Sequence, residues 1–224
     1  MPSKAAYHHG NLKAALIAAA LKEISREGPD GFSLRGVARR AGVSAPAVYR
    51  HFKDKDDLLA AVALECQERL GAEVAKGLEH APPDALEQFR ATGIALVRFA
   101  AANPEHYRAM CIPGVFGDTE ASRKKDQANA RQREAVAAAI ARGEVSKLPV
   151  DDVMLAANAL VTGLAHLIIE GQLGEVSPER AEQLAIAATG ALGVGFIPRG
   201  EDLHDPFKGH AVRGARKKPD ASGR

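Results

Sequence analysis

From Gly10 to Gly195 the apolar residues recur three and four positions apart, and no alternating run of β-branched residues interrupts them. Ala, Leu, Glu, Lys and Arg dominate the same span, so propensity and periodicity both predict an all-α fold of about nine helices. A first helix is expected from about Asn11 to Glu27, with Ala14, Ile17, Leu21 and Ile24 on one face, and Gly28-Pro29-Asp30-Gly31 ends it. Ser33 is placed to cap a short second helix through Arg40, while Phe32 and Val37 occupy the two positions of a hydrophobic staple. Gly42 allows the left-handed residue that stops it. The device then repeats: Ser44 caps, Pro46 sits in the first turn, Val43 faces Val48, and a third helix is expected from Ala45 to near Phe52.

Asp54 precedes a long fourth helix, Lys55 to about His80, with Asp56 and Asp57 against its positive end. Ala81-Pro82-Pro83 breaks the pattern, and Asp84 with Glu87 forms a capping pair for a fifth helix that ends near Ala102. Asn103-Pro104 opens a short sixth, and a seventh runs from Thr119 to Arg142, where Gly143 stops it. The eighth, from Pro149 to about Gly171, is apolar on every side and has to be covered twice. Asn158, Thr162 and His166 interrupt its uncharged run short of the ~20 residues of a membrane span, which predicts a buried helix. Ser177-Pro178-Glu179 announces the ninth, whose Ala187, Ala188, Gly190, Ala191 and Gly193 permit close helix approach.

Charge divides the chain into three expected segments: residues 1–55 carry a net +6, residues 56–198 a net −7 and residues 199–224 a net +3. A basic head on an acidic body suits a head that meets a polyanion. The polar, Gly-rich tail beyond Pro198 is expected to be disordered. Cys66 and Cys111 lack CxxC spacing, so neither a metal knuckle nor a disulfide framework is expected, and a reducing, cytoplasmic compartment fits. The first residues show no apolar stretch with a cleavage site, so no secretory signal is expected. No GxSxG, HExxH, phosphate loop or HxxxH pair occurs; no catalytic residue, metal site or cofactor is assigned, and an enzyme is disfavoured.

Residues 33–52, SLRGVARRAGVSAPAVYRHF, place two short helices around the tight turn Ala41-Gly42-Val43, the arrangement of a helix-turn-helix whose second helix enters the major groove of double-stranded DNA. With Val48 and Phe52 facing Val43, Ala45, Ala47, Tyr49, Arg50 and His51 are left to face outward. Ala45, Pro46 and Ala47 are small enough for close approach to bases, Tyr49 and His51 can reach phosphates or base edges, and Arg50 can neutralise a phosphate or fork onto guanine. Ser33, Arg35, Ser44 and Lys55 lie at helix starts, where hydroxyls, amides and the helix dipole attract phosphate.

Residues 10–58, with FSLRGVARRAGVSAPAVYRHFKDKDDLL after a first helix, resemble the DNA-binding domain of TetR-family repressors, and Tyr7-His8-His9-Gly10-Asn11-Leu12 resembles the lead-in of one subset. The resemblance implies that Tyr49, His51 and Lys55 clamp phosphates while Ala45, Pro46 and Ala47 pack near the bases. It implies a homodimer through the eighth and ninth helices, binding a palindromic operator. Leu160-Val161-Thr162-Gly163-Leu164 followed by Glu170-Gly171 is similar to a Trp-His-Gly element of some family regulatory domains, with no Trp and with Thr162 where the His would stand.

On the apolar helices of the body the expected contacts for a small apolar or amphipathic effector are Phe99, His106, Tyr107, Met110, Phe116, Asn158, Thr162 and His166. By family analogy, His106 to Met110 transmit occupancy to the fourth helix. The expected mechanism is a population shift between operator-binding and effector-binding conformations, giving a repressor that the effector releases. The rival is a DNA-binding architectural or accessory protein without an effector, which would need no cavity in its body.

Overall fold

The computed structural model of the chain describes residues 9–112, 115, 117–145 and 148–196. Tyr7, His8, Pro113, Gly114, Phe116 and the basic tail beyond Pro198 lie outside them. Nine α-helices and no strand occur among the described residues: α1 (His9–Gly31), α2 (Leu34–Ala41), α3 (Ala45–Tyr49), α4 (Lys55–His80), α5 (Ala85–Ala102), α6 (Pro104–Met110), α7 (Glu120–Ala141), α8 (Val150–Ile169) and α9 (Pro178–Phe196).

Local chemistry sets most boundaries. Gly28, at φ 74°, takes the backbone out of helical geometry inside α1, because a side chain there would be strained. The Ser33 hydroxyl accepts the Gly36 N–H at 3.1 Å, and Gly42 at φ 69° closes α2. Asp54 caps α4 by accepting the Asp57 N–H at 2.8 Å, and Asp84 accepts from Leu86 and Glu87 at the start of α5. Thr119 and Ser177 do the same for α7 and α9. Ser44 differs from expectation, since its side chain makes no cap hydrogen bond. Pro46 has no N–H to offer, and the Ala47 N–H is taken by the Ser44 backbone carbonyl at 2.9 Å.

The head core gathers Leu12, Leu16, Ala20, Leu21 and Ile24 of α1 against Phe32, Val37, Val48 and Phe52. Of the expected face Ile17, Leu21 and Ile24 are buried and Ala14 is exposed, and the buried face is wider than expected, taking in Leu16 and Ala20. The core continues past residue 55 into Leu58, Val62 and Cys66 of α4 and Ala109 of α6. Burial pushes the Cys66 thiol up to about 12, which leaves it a protonated core residue.

In the body α5 is the central helix, packed on α4, α6, α7, α8 and α9. Gly93 lets α5 approach α8, where an added Cβ would stand 3.0 Å from Val161 Cγ1. Arg108 of α6 donates to the Ile169 carbonyl at 2.8 Å and to Glu170, placing a cation at the negative end of α8. α8 is long and apolar enough to cross a membrane, yet it packs on α5, α7 and α9, and only 22% of its most apolar window is buried. The chain supplies one of the two expected covers: Val153, Val161, Ala165 and Ile168 face the core, while Leu155, 69% exposed, and Leu167 face outward and are left uncovered by the described residues.

Candidate nucleic-acid interface and internal cavity

α3 and its continuation are built from the inside. Val48 and Phe52 are buried in the head core with Val43 packed against them, and the N–H groups of both His51 and Phe52 donate to the Val48 carbonyl. The α-helix therefore ends at Tyr49 and tightens into a turn over Arg50 and His51, shorter than the rod expected to Phe52. Ser33, Arg35, Ser44, Pro46, Tyr49 and Arg50 are exposed, Tyr49 by 53%, while Ala45, His51 and Lys55 are half-buried. His51 borders a shallow cleft with Lys13 and Asp57. Lys55 Nζ sits 4.6 Å over the Phe32 ring, which brings the start of α4 beside Ser33 at the start of α2.

Ala47 is the exception. It is 6% exposed and part of the head core, so its methyl is packed inside rather than turned outward, a correction to the expected outward face. Among the described residues Arg35, Arg39, Arg50 and Lys53 have no carboxylate within ion-pair distance.

One charged residue that sequence reasoning missed holds this surface in place. Glu23 of α1 is 4% exposed, accepts from Arg40 Nε at 2.6 Å and lies 3.4 Å from Arg26. The Arg40 hydrogen bond holds its carboxyl below the ordinary value of 4.5, against the opposing effect of burial. Gly36 makes room for it: a Cβ there would meet Glu23 Oε2 at 2.9 Å.

The body holds a cavity of about 700 Å³ between α4, α5, α7, α8 and α9, open to solvent beside α7, where Lys125, Ala128, Asn129 and Arg131 are exposed. Its floor is apolar, with Leu70, Val74, Phe89, Leu96, Val153 and Val161 among its residues. Of the expected contacts, Met110 and Asn158 line it. Phe99 and Tyr107 are instead core residues of the α5–α6–α8 junction, 0% and 3% exposed. Thr162 lies beside the Tyr107 phenol outside the lining, and burial drives that phenol's pKa upward. His166 is exposed, with Nδ1 2.8 Å from the Thr162 carbonyl. His106 packs edge-on to Phe99 with a buried, unbonded Nε2 3.6 Å from Glu65, and burial lowers its pKa, so it is neutral at neutral pH. Phe116 lies outside the described residues. Sequence reasoning missed Gln67, Asn129, Arg131 and Gln132 in the wall.

Met110 has a double position. It packs against the head core and lines the cavity, so one flexible side chain borders both the core that supports the head and the body's hollow.

The model for bacterial regulatory proteins of the tetR family matches residues 16–62, and that for the tetracyclin repressor-like C-terminal domain matches residues 89–192. No curated protein matches the chain. Among solved structures the chain is similar to a Rhodococcus sp. RHA1 protein of unknown function, at 30% identity and a TM-score of 0.67 over 87% of this chain and 100% of that one. It shares its fold with the TetR family transcriptional regulator PfmR of Thermus thermophilus, at 21% identity and a TM-score of 0.62 over 82% of this chain and 99% of that one. The same holds for the ketosteroid transcriptional regulator KstR2 of Mycobacterium tuberculosis, at 16% identity and a TM-score of 0.66 over 87% of this chain and 99% of that one. With both halves of the chain matched, this protein belongs to the tetR family of DNA-binding transcriptional regulators.

Proposed function

We propose that the chain is a cytoplasmic, homodimeric repressor that leaves a palindromic operator when a small molecule occupies its body cavity. The observation that carries the reading is Met110, which borders the cavity and the head core at once. An occupant that displaces it also pushes on Ala109 and Ile112, which pack against α1 and α4. Ser33, Arg35, Ser44, Tyr49, Arg50, His51 and Lys55 are the proposed DNA contacts, with Ala45 and Pro46 beside the bases and Ala47 as their packed support.

The uncovered outer faces of α8 and α9, with Leu155, Leu167 and Ile186, suit burial against a second copy. Two heads so paired would read half-sites about 34–36 Å apart, or a multiple of that. The proposed domains are a head of residues 1–55, a body of residues 56–198 and a tail of residues 199–224, with α4 shared between the first two cores. The architectural alternative is disfavoured by the cavity, for which it has no use, and the family is one of regulators rather than enzymes.

Selection of duplexes from a random pool tests the reading. It predicts an inverted repeat, and a bound small molecule that weakens duplex affinity by about 5–150-fold, with the reciprocal loss in small-molecule affinity. A single unpaired site, or two affinities that ignore each other, would overturn it.

A further inference from the structure

The hollow in the body is long. Its α4 lining, Gln67, Leu70, Gly71, Val74 and Leu78, repeats at three- and four-residue spacing on one face, and at ~1.5 Å per residue that stripe runs about 16 Å. Leu86, Phe89, Gly93 and Leu96 line it from α5. Leu70, Leu96 and Met110 pack on the Phe99 cluster at the end nearest the head. α7 borders the hollow without filling it, since from Glu120 to Arg133 it has no apolar side chain larger than Ala. It is anchored by Ala121 beside Ala63 and Val115, and by Val136 beside Val153 and Met154.

Two features show that this space is open and apolar along its length. Leu70, Val74, Leu78, Leu86, Phe89 and Leu96 are only half-buried, although they face inward between helices, so apolar surface remains accessible in the hollow. Gly71 lines the same face, and a Cβ there would meet nothing within 4 Å among the described residues. Gly77 of the same helix differs: its Cβ would stand 3.6 Å from the Ala91 carbonyl and from Ala95 Cβ, so it lets α4 approach α5. Glycine inside a helix is destabilising relative to alanine, and at Gly71 no close approach of helices accounts for it. What Gly71 leaves is room for an occupant.

The charges on the lining are matched within the chain or stand in water. Glu87 pairs with Arg90 at 3.3 Å, Arg90 also donates to Thr189 Oγ1 and the Ile186 carbonyl, and Glu144 pairs with Arg142 at 2.6 Å. Lys125 and Arg131 lie on the exposed side of α7 at the mouth, where an ion pair in water contributes little. A charged head on the floor would instead lose its water among leucines and valines.

We infer that the effector is an elongated apolar molecule lying along the α4–α5 face, recognised by the length of its hydrocarbon body and not by the charge of its head, which rests in solvent beside α7. The inference rests on the reading of the body as a ligand-receiving domain. The volume of about 700 Å³ falls within the ~300–1,000 Å³ of small-molecule sites. Length also decides whether an occupant reaches Met110 and, through it, the head core.

Calorimetry on the full chain with hexanol, octanol and decanol tests the length, and decanoate and decyltrimethylammonium beside decanol test the head. Each added methylene should tighten binding by about fourfold, the transfer free energy of one buried CH₂. The three ten-carbon molecules should bind within about fivefold of one another. Gly71→Leu should weaken decanol binding by about tenfold or more by filling the hollow, while Gly71→Ala keeps near-parental binding. Both variants should melt no lower than the parent, which separates a filled hollow from lost folding. Affinity that ignores chain length, a head preference beyond that range, undiminished decanol binding in Gly71→Leu, or no binding by any of the five would overturn the inference. Release of the selected duplex, read in the same samples, reports on the regulator separately: length-graded binding without release sinks the repressor and leaves the site chemistry standing.

Discussion

The Glu23–Arg40 pair offers the sharpest test of how the reading head is held. Arg40→Met keeps most of the aliphatic stem but removes the donor 2.6 Å from a carboxylate whose side chain is 5% exposed. Breaking a fully buried pair costs about 3–5 kcal/mol. Arg40 is 31% exposed and Arg26 remains 3.4 Å from the carboxylate, so solvent and a second cation absorb part of the loss; about 2–3 kcal/mol is expected at neutral pH. The dependence on pH fixes the cause. The pair lowers the folded pKa of Glu23 below its ordinary 4.5, so its contribution is complete above that value and is lost as pH falls through the lower folded one. The variant's deficit should therefore shrink in acid, where the carboxylate is neutral in both proteins. Urea unfolding of the full chain followed by helical circular dichroism, at neutral pH and in acid, measures it. Glu23→Gln/Arg40→Met, which leaves no buried charge, should recover most of the loss. A variant as stable as the parent at neutral pH, or a deficit undiminished in acid, refutes the reasoning.

Three further outcomes follow from the geometry. Ser33→Ala should cost about 1 kcal/mol by thermal unfolding because its hydroxyl caps α2, whereas Ser44→Ala, with no cap bond to lose, should cost little; equal losses would contradict the assigned caps. Ala47→Leu should destabilise by about 1–3 kcal/mol through overpacking, and a variant of full stability with altered operator preference would place the methyl outside instead. Leu155→Asp, at a residue 69% exposed in the single chain, should yield monomers in sedimentation without loss of helix content; an unchanged assembly state would move the dimer interface elsewhere.

What the sequence revealed and what it hid divide along a physical line. Ser33, Asp54, Asp84, Gly42 and Gly143 act on backbone groups within a turn of themselves, so their roles were readable from spacing, and helix boundaries fall where they stand. Ser44 misled because the neighbouring Pro46 removes a donor and its own carbonyl takes the next. Glu23 looked like any helix-surface glutamate, since its burial depends on Arg40 seventeen residues away. In the body, a polar or aromatic residue on an apolar helix marks core and cavity alike: Phe99 and Tyr107 became core, and His166 lies on the outer face of α8. The better signal was the stretch Glu120 to Arg133, a helix that buries no large side chain because the space beneath it is hollow.

The central claim is that Arg50 and its neighbours meet DNA phosphate once per head, twice per dimer. The salt dependence of affinity for the selected duplex counts those contacts, each contributing a slope of about −0.9 in log affinity against log salt. If Arg50 meets a phosphate, Arg50→Ala should flatten the slope by about 1.8, the loss of one contact from each of two heads. An unchanged slope with unchanged affinity would contradict the account.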